Sequence, residues 1–313
     1  MIEVMFSKEL TTDDVQRFIK LRTLDNCKEY LKVMLDFYFD VLISPEGRKI
    51  SSENDDDRNI WLQTIFSKGC QFLSLLNGLN FSKGTFQINP IIDFSVLFTI
   101  ARSVYESLIA FEILFVLPKT EEHQTIVYNL FVAHGLSERL KDLDEEMRSH
   151  NPERVKEEQN DIDDCWRAIE NTNLYKMLNQ QTKTTIKNAF GLKYRYIFKE
   201  DNTMEFVKLE KAYNLLNVKV NLFNSIYSFL SLYGHPSYLS LIQFRDAFKN
   251  EYRADIEMAK HATQCVLSFM SIYIVDYMKL NSEVKAKYDK MGKLRKFVIG
   301  MYEDAMRGEE KFK

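Results

Sequence analysis

Two stretches hold side chains whose types and spacing suit chemistry. In "IARSVYESLIAFEILF", Arg102 and Glu106 stand four residues apart, the spacing at which helical side chains pair along one face. In "NSIYSFLSLYGHPSYLSL", Asn224, Tyr227, Ser231 and His235 follow at three- and four-residue steps. Such a set offers proton transfer at His235, an anion such as phosphate held by Arg102, and Glu106 to orient one of them. Tyr227, Ser231, Asn224 and Thr99 add hydroxyl and amide groups that bind a ligand or one another.

The pattern survives a helical projection. At about 100° per residue, Ser95, Arg102, Glu106 and Thr99 fall within roughly 60°, with Leu97, Ile100, Val104 and Leu108 on the far side. A second stripe runs through Asn217, Asn221, Asn224, Tyr227, Ser228, Ser231 and His235, opposite Leu222, Ile226, Phe229 and Leu230. From Ala212 to Phe244 the only formal charge is Lys219, in a chain that is 28% charged, so the second stripe suits a hydrogen-bonded seam inside a bundle. A buried Arg needs acceptors and buried amides need partners. Facing the stripes together meets both needs, so Arg102, Glu106, Tyr227, Ser231 and His235 are expected in one cluster. It is a pocket if open and a register-setting network if closed. With Glu106 left unpaired in such an interior, Arg102→Met is expected to cost several kcal/mol, on the order of the penalty for a broken buried pair.

An Arg-x-x-x-Glu on a long apolar helix, followed by Tyr, Ser and His at four-residue steps near another helix end, resembles bacterial helical proteins known only as domains of unknown function. The matching residues are Arg102, Glu106, Tyr227, Ser231 and His235, and the likeness covers about Ile91 to Leu241. These proteins loosely resemble the HEPN superfamily of helical bundles, many of them ribonucleases in defence and toxin systems. That resemblance implies a bundle fold and a metal-independent nuclease or phosphate-ester chemistry using Arg102, Glu106 and His235. The superfamily's catalytic Arg precedes its His by five residues. Here the positions five before the histidines are Pro118, Asn129, Glu145, Leu230 and Ile256, so Arg102 would have to come from another helix.

The elements that must carry these residues are helices. Five prolines and ten glycines in 313 residues leave few breaks. The composition predicts an all-α bundle of long antiparallel helices around a central apolar helix at about 90–117, with little or no β structure. Pro90 is expected in its first turn and Pro118 at its end. Asp55 or Asp56 is expected to cap an earlier helix that stops near Gly78, Pro152 to open another, and Met204 to His235 to form one helix with room for an interruption. "KYRYIFKEDNT" reads as an irregular or hairpin-like link. One domain, 1–313, is expected, with a charged helical pair at about 119–178 as its outer part. From Arg139 to Glu170 there are 11 acidic against 6 basic residues, which suits a solvated face.

Absences prune the function classes. The net charge of −3 gives no global pull toward nucleic acid or anionic membrane. Cys27, Cys70, Cys165 and Cys265 form no CxxC pair, which suits a reducing cytoplasm better than a zinc ribbon or a disulfide scaffold. Glu3, Lys8 and Glu9 interrupt what a signal peptide would need. In Leu97–Val116 the apolar residues favour membrane insertion by about 3 to 7 kcal/mol and Arg102, Glu106 and Glu112 oppose it by roughly 7 to 10, so a buried soluble helix is expected. No phosphate loop, dinucleotide fingerprint, nucleophile elbow or zinc-protease helix is present. No histidine follows a Glu by three, so no metal site and no cofactor is implied. "EEH" at 121–123 reads as solvated, and "KAKYDKMGKLRK" at 285–296 as an exposed basic face before it reads as a phosphate strip. No partner is specified, although dimerisation through an apolar helix face is compatible with long helices.

Overall fold

The computed structural model describes residues 23–44, 53–87, 91–219, 225–234, 237–247 and 254–308. The fold is all-α, as the composition predicts. The β structure among the described residues is two short antiparallel hairpins, Ser82–Lys83 with Phe86–Gln87 (β1, β2) and Tyr196–Phe198 with Met204–Phe206 (β3, β4). By packing, the chain divides into two compact units, Met1–Ile109 with Tyr213–Lys313, and Ala110–Ala212.

In the first unit, α1 (Leu24–Ile43) opens at Thr23, whose side chain accepts from the Asn26 amide and so satisfies one of the helix's orphan donors. Helix α2 (Glu53–Leu75) begins slightly before the Asp55 or Asp56 cap expected for it and ends three residues before Gly78, whose φ of 79° suits glycine. Helix α3 (Phe94–Phe111) starts later than the Pro90 expected to open it. The Asp93 carboxylate accepts from the backbone and hydroxyl of Ser95, so the first turn is organised there, and Pro90 itself lies outside the described residues. The helix then widens into a π-helical turn, Glu112–Val116, closed by Leu117 N–H to Glu112 C=O at 2.9 Å.

The same unit holds α9 (Ile226–Gly234), α10 (Tyr238–Ala247), α11 (Ala254–Leu280), α12 (Ser282–Asp289) and α13 (Lys293–Arg307). Helix α11 is buried along most of its length from Ala262 to Met278, and α1, α10, α12 and α13 pack on it. Leu31, Met34, Leu62, Ile65, Phe72, Leu97, Val104, Leu108, Val266, Phe269 and Met270 lose all or nearly all contact with solvent. Each such side chain contributes roughly 1.5 to 3 kcal/mol of transfer free energy. Gly69 lets α2 approach closely, since a Cβ there would sit 2.8 Å from Leu35 Cδ2 and 3.1 Å from Met270 Cε.

The second unit is built on α4 (Glu121–Asp142) and α6 (Pro152–Asn171), the charged pair expected from sequence, joined through α5 (Glu145–His150). Pro152 opens α6 behind the Asn151 cap, as its position predicts. Helices α7 (Asn173–Met177) and α8 (Gln180–Ala189) complete an apolar cluster of Ile126, Leu130, Ile169, Leu174, Tyr175, Leu178 and Ile186. Glu158 is the buried exception on charged α6, held by Arg139 and Arg154. The hairpin-like link is the β3–β4 hairpin, turned at Asn202 with φ 59°.

The single helix expected from Met204 to His235 is broken. Met204–Phe206 is strand β4, Leu209–Leu216 is a 3₁₀ helix, and Asn217 adopts φ 52°. A left-handed residue ends helical continuity, so Asn217 does not share a face with Tyr227. The second polar stripe is therefore shorter than its projection.

Candidate functional site

Helices α3 and α9 meet through aromatic rings. Phe98 packs edge-on to Phe229 at 5.3 Å and lies 5.1 Å from Tyr233, while Tyr105 stands 6.2 Å from Tyr227. Gly234 brings the end of α9 against α3: Thr99 Oγ1 donates to Gly234 C=O at 3.1 Å, and a Cβ at Gly234 would lie 3.3 Å from the same oxygen. This packing sets the polar stripe of α3 beside Tyr227.

There Arg102 Nε donates to Glu106 Oε1 at 2.8 Å, and Arg102 Nη2 donates to Tyr227 Oη at 2.8 Å. The guanidinium also lies 5.0 Å from the Tyr227 ring centroid. Burial alone would lower the Arg102 pKa, but Glu106 and Tyr227 outweigh it and the net shift is upward. The structure thus brings Arg102, Glu106 and Tyr227 together and sets Thr99 against the end of α9. Ser231 is half-buried on α9, and among the described residues its Oγ has no hydrogen-bond partner. His235 and Asn224 lie outside the described residues.

The cluster is not sealed. The side chains of Arg102 and Glu106 are 23% and 37% exposed, and Thr99 and Ser228 face solvent. A carboxylate with that much water around it keeps most of its solvation when its partner is removed, which corrects the several kcal/mol expected for Arg102→Met.

The stripe on α3 continues past Glu106 to Ser103 and Ser107, at about 100° and 140° from Arg102 in projection. Lys68 of α2 arrives on that side, donating to Ser107 Oγ at 2.5 Å and to Ser103 C=O at 3.2 Å. Ser107 Oγ itself donates to Ser103 C=O at 2.8 Å, which leaves its lone pair for the lysine. Burial pulls the Lys68 pKa down and the Glu106 carboxylate works against that pull. Lys68 also lines a groove of about 480 Å³ between α2 and α3, with Ile60, Gln63, Thr64, Ser67, Gln71, Ile100 and Ser103. Sequence reading missed Lys68, because only the packing of α2 on α3 relates it to a stripe 35 residues away. The available signal was the run of Ser103 and Ser107 beyond Glu106 on α3.

The remaining candidates are accounted for elsewhere. His123 is 6% exposed rather than solvated, which corrects the reading of "EEH". Its ring stacks on Phe198 at 4.3 Å and Nε2 meets Asn202 Oδ1 at 3.0 Å, while Glu122 accepts from the amides of Asn173 and Leu174. In the basic run, Lys285 pairs with Asp289, Lys287 donates to Asp40 C=O and Arg295 pairs with Asp40. Among the described residues no three His, Cys, Asp or Glu side chains gather as a metal site.

An all-α fold in which an Arg–Glu pair on one helix bonds a tyrosine of the neighbouring helix is a class defined by its fold. The chain belongs to the Family of unknown function (DUF5677), whose model matches residues 93–252. That span contains α3, α9 and the Arg102, Glu106 and Tyr227 cluster, while α2 with Lys68 lies outside it. No curated protein and no solved structure matches the chain.

Proposed function

We propose that this chain is a helical binding module that takes a small ligand in the α2–α3 groove, beside the Arg102–Glu106–Tyr227 cluster. The observation that carries the reading is the groove itself. Its volume of about 480 Å³ lies within the range of small-molecule sites, and its lining mixes Lys68 and neutral polar groups with Ile60 and Ile100. Packing fixes both walls, α2 through Gly69 and α3 through its aromatic contacts with α9. Binding is favoured over phosphate-ester chemistry because the charge of Arg102, the residue such chemistry would need for its anion, is already offset by the Glu106 carboxylate it pairs with. The setting we propose is a bacterial cytoplasm, in a defence or stress role suggested by the resemblance of its motifs. The four cysteines are free thiols, as a reducing compartment would keep them.

The test is a thermal-shift screen of a metabolite library against wild type and Gln63→Trp, which fills the groove from an exposed position on α2. A ligand at about 100 times its Kd should stabilise wild type by about 2.7 kcal/mol and leave the variant unmoved. Equal shifts in both proteins, or none in either, would overturn the reading.

A further inference from the structure

The charges around the groove do not balance locally. Glu106 is the carboxylate whose field reaches both Lys68 and Arg102, and its hydrogen-bonded ion pair is with Arg102. Among the described residues the two hydrogen-bond partners of the Lys68 ammonium, Ser103 C=O and Ser107 Oγ, are neutral oxygens. An ammonium carries three protons, so one remains after these bonds. A half-buried cation whose partners are neutral is incompletely solvated, and an anion meeting it gains a charge-assisted hydrogen bond at a site where water is already partly displaced. Gln63, Gln71, Ser67 and Thr64 surround the same groove with amides and hydroxyls, and none of the described residues lining it is a carboxylate. Ile60 and Ile100 leave room for an apolar portion beside the charge.

We infer that the ligand of this groove carries an oxyanion, a carboxylate or a phosphate, and that Lys68 Nζ donates to it. The inference rests on the binding reading above and adds the ligand's charge class. Arg102 then acts as a positioning residue. By neutralising Glu106, it leaves the Lys68 charge available to the ligand.

The test is an amide-resolved NMR titration of the full chain with inorganic phosphate and, separately, with acetate, each at constant ionic strength set by chloride. Saturable shifts confined to 63–71 on α2 and 100–107 on α3 are expected, and the tighter of the two anions identifies the source. Lys68→Gln should weaken binding by about tenfold or more, and Lys68→Arg should restore much of it. If Lys68→Gln does not fold, Gln71→Glu replaces it: a carboxylate placed in the groove spares the Ser103 and Ser107 bonds and should weaken the anion by a similar factor. Linear, unsaturable shifts, or equal affinity in wild type and variants, would sink the inference. A neutral metabolite that stabilises wild type but not Gln63→Trp, while neither anion saturates, would defeat the oxyanion and leave the binding module standing.

Discussion

At the scale of single residues, the Arg102 cluster shows how partial exposure changes an energetic expectation. Arg102 makes an ion pair, a hydrogen bond to Tyr227 and a contact with its ring, yet Glu106 is more than a third exposed. Exposed pairs contribute about 0.2 to 1 kcal/mol, and a hydrogen bond to a charged group about 1.5 to 3 before solvent competes for it. Arg102→Met should therefore lower unfolding free energy by about 1 to 2 kcal/mol, measured by urea titration, and Tyr227→Phe by about 1. A loss above about 4 kcal/mol would place the pair in a far drier setting than its exposure indicates. The Arg102–Glu106 pair was legible because both residues sit on one helix, where spacing alone decides the geometry. Lys68 was not, since nothing in "FSKGCQF" distinguishes it from a solvated lysine until α2 is packed. The burial of His123 was hidden for the same reason, as its partners Phe198 and Asn202 come from a hairpin far along the chain.

At the scale of elements, the helices announced by periodicity and punctuation are present among the described residues, and the departures occur where local geometry outweighs periodicity. The stretch 204–235 carries helical spacing throughout, but Leu209–Leu216 winds as 3₁₀ and Asn217 takes a left-handed backbone. The end of that 3₁₀ helix is tied down from a distance: Arg307 Nε donates to Leu216 C=O at 2.6 Å. Its other two nitrogens form a fork on Asp276, Nη1 to Oδ1 at 2.9 Å and Nη2 to Oδ2 at 2.6 Å. One guanidinium thus joins α13, α11 and the 3₁₀ helix, and no sequence pattern links three positions so far apart. Asp276 is 1% exposed, and the Lys279 ammonium also reaches its Oδ1 at 2.5 Å, so removing the fork leaves the buried carboxylate partly matched. Arg307→Met should cost about 3 kcal/mol, the low end for a broken buried pair, and Arg307→Lys somewhat less, because one ammonium cannot reproduce the planar fork. Thermal unfolding of the two variants checks this, and a wild-type Tm for Arg307→Met would show that the three elements are held by apolar packing alone.

At the scale of the whole molecule, the question is whether the two packed units are separate folding units. Both divisions fall inside helical segments, Ile109/Ala110 in α3 and Ala212/Tyr213 in the 3₁₀ helix. Unfolding one unit by itself would leave α3 with broken i→i−4 bonds in mid-helix, which helix cooperativity disfavours. A single cooperative transition is therefore expected. The cysteines supply the probes: Cys27 is buried in the first unit and Cys165 in the second. Burial, with Asp161 and Asp164 nearby, pushes the Cys165 thiol up to about 11, and burial pushes Cys265 up to about 12. Near neutral pH these thiols are therefore slow nucleophiles until the chain opens. In variants keeping either Cys27 or Cys165 alone, brief maleimide pulses across a urea series should give labelling curves with the same midpoint, both matching the loss of helical circular dichroism. Midpoints that separate, with one thiol reacting while most of the helical signal persists, would instead establish two domains, and the helical continuity at Ile109 and Ala212 would have to be weaker than the packing on either side of it.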